Sequence, residues 1–151
     1  MSETKQNIPI TVDNEQVFAY VEEMLREGTS VKLKVRGNSM APALMDGKDS
    51  VTLEPVAMQK RELSVGDVIL FRYNGRFIMH RIVSTYKRGE ASDGEGMLIT
   101  TKGDALTTRE TISSKEIIAV AKFKKHSFIK LLARKLRMSR YLRYLQNALK
   151  E

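Results

Sequence analysis

Ser39 follows an alternating run, Val31 to Arg36, and a Gly37-Asn38 break. A serine at such a strand-to-turn junction presents its hydroxyl on a rigid edge, with main-chain N–H groups close by to receive an oxyanion. The hydroxyl is a weak nucleophile until a neighbouring base takes its proton. Imidazole is the side chain suited to that task at neutral pH, and the chain has two, His80 and His126. His80 lies in an apolar run and is the better placed, whereas His126 falls in a basic tail and reads as a surface residue. An aspartate such as Asp104 fixes the imidazole tautomer and stabilises its cation. Residue types and order therefore permit a triad of Ser39, His80 and Asp104. Plainer readings are open at the same positions: Ser39 as a turn serine, His80 as a core histidine packed by Ile78, Ile82 and Val83, and Arg81 as a structural cation. Lys102 is a second candidate base, in a Ser–Lys dyad.

The elements that must position these groups follow from periodicity. Val17, Tyr20, Val21 and Leu25 recur at three- and four-residue steps, which predicts an amphipathic helix over 14–27, capped by Asp13 or Asn14 and stopped at Gly28. Beyond Gly28 the period becomes two. Strands are expected at Val31 to Arg36, Ser50 to Glu54, Asp67 to Tyr73, Phe77 to Thr85, Met97 to Thr101 and Glu116 to Phe123. Asn74-Gly75 between two of them is a type I′ hairpin signal. Lys87 to Gly96 reads as a solvated loop. The expected fold is mainly β (α+β), with an N-terminal amphipathic helix and a C-terminal basic helix. The organisation divides as an N-terminal segment and helix at 1–30, a β domain at 31–123 and a basic amphipathic tail at 124–151.

Composition removes several function classes. The absence of cysteine excludes disulfides and thiolate metal sites, and two histidines exclude a histidine-rich cluster. No metal and no cofactor are expected. The longest apolar run, Ile117 to Ala121, is far shorter than the roughly 20 residues of a spanning helix, and the first ten residues contain no apolar signal core. The expected location is cytoplasmic, with peripheral membrane attachment as an option. The net charge is +8, but residues 122–151 hold ten Lys/Arg against Glu151, so the body is near neutral and the basicity belongs to the tail.

Three segments carry a family pattern: Ser39-Met40-Ala41-Pro42 with Gly47-Lys48-Asp49 after it, His80-Arg81 preceded by Gly66-Asp67-Val68, and Lys102-Gly103-Asp104. In this order they resemble the type I signal peptidase superfamily, which also contains the repressor-type self-cleaving serine peptidases. The resemblance covers about residues 31–123 and is nearest to the endoplasmic-reticulum type, which has His-Arg where most bacterial members have a lysine base. It implies a twisted β-sheet core and a serine endopeptidase that cleaves an extended peptide or leader through an acyl-enzyme. Ser39 is then the nucleophile, His80 the general base, Asp104 the residue that orients it and Glu110 a candidate second acid, although a surface glutamate is the plainer reading there. The Ser39 N–H serves the oxyanion, and Met40 and Pro42 shape the substrate edge. Gly37 stands where many bacterial relatives supply a second oxyanion donor from a serine, and Ala105 replaces a frequent asparagine.

Signal peptidases usually carry a transmembrane helix ahead of the serine box, and this chain has an amphipathic helix there. The implied partner is a peptide or protein substrate, with small residues preferred next to the cut. The tail is read as packing on the body or a second subunit, or as lying on an anionic membrane surface; nucleic acid is disfavoured. The rival functional reading is an inactive relative that binds peptides. A self-cleaving regulator is opposed by the short segment before the first strand and by the lack of an Ala-Gly dipeptide.

Overall fold

Apolar residues at alternate positions build the sheet. The computed structural model describes residues 15–87, 96–126, 130–137 and 139–140. Helix α1 (Glu15–Arg26) is followed by strands β1 (Val31–Lys34), β2 (Ser50–Pro55), β3 (Val68–Tyr73), β4 (Arg76–Tyr86), β5 (Leu98–Lys102), β6 (Arg109–Ser113) and β7 (Ile117–Lys122). All pair antiparallel in one sheet of order β1-β2-β7-β3-β4-β5-β6. The architecture is mainly β with a helix packed on it, as the patterning implies. The proposed helix caps Asp13 and Asn14, most of the Lys87 to Gly96 loop, and Met138, Tyr141, Leu142, Tyr144, Leu145 and Leu149 of the tail lie outside the described residues.

Two apolar layers hold the sheet. On one face Phe18, Val21 and Leu25 of α1 bury against Val31, Leu33, Leu53, Leu70 and Ala121. Each such side chain contributes about 1.5–3 kcal/mol when taken fully out of water. On the other face Ile69, Phe71, Ile82, Ile99, Ile112 and Val120 pack together. β3 is central and covered on both faces, which is why Val68 to Phe71 is buried without alternation. The β3–β4 turn has Asn74 at φ 50° and Gly75 at φ 74°, the two positive angles a type I′ hairpin requires.

The patterning missed one strand. β6 contains a single aliphatic residue, Ile112, yet Glu110 and Ile112 both point inward while Arg109 and Thr111 face out. A carboxylate at an inward position hid the strand, and that carboxylate belongs to the site.

Candidate active site

His80 lies on β4 and is 5% exposed, its ring edge-on to the buried Phe71 at 6.4 Å between centroids. Its Nδ1 is 3.0 Å from Oε2 of Glu110. The same carboxylate oxygen accepts the Thr101 hydroxyl at 2.8 Å. Thr101 is fully buried on β5, directly opposite Glu110 in the β5–β6 ladder. Imidazole, hydroxyl and carboxylate thus come from three consecutive strands and satisfy one another. A buried carboxylate left unpaired would cost several kcal/mol, and among the described residues no buried side-chain N or O lacks a partner.

This geometry corrects two expectations. The acid on the imidazole is Glu110, 8% exposed and no surface glutamate. Asp104 instead receives both arms of Arg81, Nε at 2.8 Å and Nη2 at 2.7 Å. Arg81 also donates to the Gly66 carbonyl, and the paired carboxylate holds its guanidinium above the ordinary arginine value. The reason is strand alternation: successive side chains of β4 leave opposite faces, so His80 faces inward to Glu110 while Arg81, on the other face, meets Asp104. Lys102 donates to the Leu106 carbonyl.

Ser39 sits in the turn after β1. Leu44, Met40 and Ala41 are buried and anchor this turn from below. Gly37, at φ +84°, allows the chain to reverse into it, and its N–H donates to Asp46. The Ala105 N–H donates to the Ser39 carbonyl at 2.9 Å, which ties the serine turn to the Lys102-Gly103-Asp104 segment. The decisive contact is at Gly103. A Cβ there would lie 2.7 Å from the Ser39 carbonyl oxygen and 2.9 Å from Nε2 of His80. The serine main chain and the free imidazole nitrogen therefore meet at a single point, and glycine is required for space.

Both groups open onto one groove, lined by the end of β1 on one side and the start of β4 on the other, with Met40 beside Ser39. Pro42 is not part of that lining; its carbonyl accepts from Arg134 of the tail. His126 is likewise no free surface residue, since its imidazole lies 3.6 Å from the Asp49 carboxylate with 10% exposure. Among the described residues no group of His, Asp and Glu is arranged to hold a metal, and no helix is long and apolar enough to cross a membrane.

Residues 2–93 match the family model described as Peptidase S24-like. The chain belongs to the Peptidase S24-like family. A search of curated proteins returns no match. The Peptidase S24-like region contains Ser39 and His80, while Gly103, Asp104 and Glu110 lie beyond it, so their part in the site rests on geometry. Membership supports a function of the serine-peptidase type. Thr101, Phe71 and the spatial role of Gly103 carry no sequence signal that periodicity detects; Glu110 had one, its place two residues before Ile112.

Proposed function

We propose that the protein is a serine endopeptidase that cuts an extended peptide with Ser39 as nucleophile, His80 as general base and Glu110 as the acid that orients the imidazole. The observation that carries this reading is the approach of the Ser39 main-chain carbonyl and Nε2 of His80 to one point at Gly103, with Glu110 behind Nδ1. With Nδ1–H donating a hydrogen bond to the Glu110 carboxylate, His80 keeps the Nε2 lone pair to accept a proton. The Ser39 oxygen attacks the scissile carbonyl carbon as its proton passes to Nε2. Among the described residues no main-chain carbonyl engages the Ser39 N–H, leaving it for the oxyanion. Collapse breaks the C–N bond and returns the proton to the leaving amine, and water repeats the sequence to free the acyl group. Asp104, clamped by Arg81, acts by holding the Gly103 segment beside the imidazole.

The groove supports an extended substrate. β1 is an edge strand, and Arg76 to His80 of β4 pair only with β3, since the β5 ladder begins at Arg81. A peptide strand can hydrogen-bond there. Incubation with a peptide library, followed by mass spectrometry, is expected to yield products with the wild type and none with Ser39→Ala. Equal product from both would refute the assignment. We also propose that the basic tail lies on an anionic membrane surface, because helical residues 130–137 expose Leu132 and Leu136 beside Lys135 and Arg137.

A further inference from the structure

The groove beside Ser39 encloses about 290 Å³ and is walled by Phe18, Leu33, Leu53, Leu70, Phe77 and Met79. Phe18 reaches in from α1 and stacks on Phe77 at 4.6 Å between centroids. An apolar cavity of about 150 Å³ already accepts a benzene ring. The charged residues of the lining, Lys34, Arg36 and Arg76, are all cationic. We propose that this groove selects a peptide with a bulky apolar side chain (Leu, Met or Phe) next to the scissile bond and an acidic residue nearby, with Phe18 as the specificity-determining residue. This goes against the small residues that the family resemblance implies, and it rests on the reading of Ser39 as nucleophile.

The test compares matched peptides with Ala or Phe next to the cut. The hydrophobic difference is expected to favour Phe by at least about tenfold in kcat/KM, since a single methylene in such a pocket is already worth that much. Phe18→Trp, which fills the groove, should move the preference toward Ala. Binding to the Ser39→Ala protein, followed by fluorescence anisotropy, should give the same ranking without turnover. Bulky peptides that bind the variant but are never cut by the wild type would sink the catalytic reading and leave the groove assignment standing. Equal or tighter binding of the Ala peptides would overturn the groove assignment itself.

Independently, we infer that Arg134 is a positioning residue for the serine turn. Its guanidinium, 14% exposed, donates to the Pro42 and Ala43 carbonyls at 3.1 and 3.2 Å and to Oδ1 of Asp49 at 2.9 Å. Oδ2 of Asp49 in turn accepts the Met45 N–H at 2.7 Å. One tail cation thus fastens both ends of the stretch that follows Ser39. In the full chain, Arg134→Ala is expected to lower kcat at least tenfold with KM little changed. Arg134→Lys, which retains the charge but not the fork, should restore only part of that loss. Hydrogen exchange at residues 40–49 should quicken in Arg134→Ala while the β3 amides keep their protection. Unchanged exchange in this turn would overturn the inference whether or not the protein cleaves peptides, and equal exchange gains throughout the sheet would reduce Arg134 to a general stabiliser.

Discussion

The two acids near the imidazole separate into different tasks at the scale of single residues. Glu110 touches His80, and Asp104 touches Arg81. Glu110→Gln preserves shape but removes the charge that supports an imidazolium, and in the Ser-His-Asp triad the corresponding change lowers kcat by about 10⁴. A fall on the order of 10²–10⁴ is therefore expected for Glu110→Gln, against a much smaller one for Asp104→Asn. Steady-state cleavage of one peptide by both variants checks this, and the reverse order would return the orienting role to Asp104. Gly103→Ala brings a methyl within 3 Å of the Ser39 carbonyl and the His80 ring, and because the carbonyl is backbone that cannot yield cheaply, both turnover and thermal midpoint should fall. Ser39 and His80 were legible because each sits in a short box of distinctive residues. Glu110 was only half legible: its neighbours are polar, and the threonine and histidine that make its burial tolerable are remote in sequence.

At the scale of elements, the helix and six of the seven strands follow from residue periods, since tertiary packing here agrees with local pattern. β6 does not, because its inward face is half carboxylate. The contact of the tail with the serine turn was equally illegible, as Arg134 meets Asp49 across 85 residues. That contact has an acid signature. Burial raises the Asp49 pKa, but hydrogen bonds from Arg134 and the Met45 N–H and the nearby charges of Arg134 and His126 outweigh it, so the folded value lies below that of the unfolded chain. The stabilisation is complete above the ordinary carboxylate range and is lost as pH falls through the lowered folded value. Thermal melts of the wild type should therefore drop on acidification through this window, and Asp49→Asn should flatten that part of the curve while lowering stability at neutral pH. Parallel curves for the two proteins would remove Asp49 from the acid response.

For the whole molecule the decisive asymmetry is charge. Residues 122–151 carry more positive charge than the entire chain nets, so the tail is a cationic appendage on a near-neutral body. The described helix turns Arg134 toward the serine turn and leaves Leu132 at 48% and Leu136 at 59% exposure. A helix with that division can meet the body on one side and an anionic bilayer on the other, each Lys or Arg near the surface adding about 1 kcal/mol. The protein is then expected to cosediment with vesicles containing anionic lipid and not with neutral ones. Screening shortens the reach of these charges from about 10 Å at 0.1 M salt to about 3 Å at 1 M, so high salt should release it. Leu136→Glu should weaken the association at low salt without disturbing the Arg134 contacts, which separates membrane attachment from the clamp on the serine turn. Equal recovery with neutral and anionic vesicles would mean that charge does not select the surface, and no recovery with either would leave the tail with the clamp as its sole task.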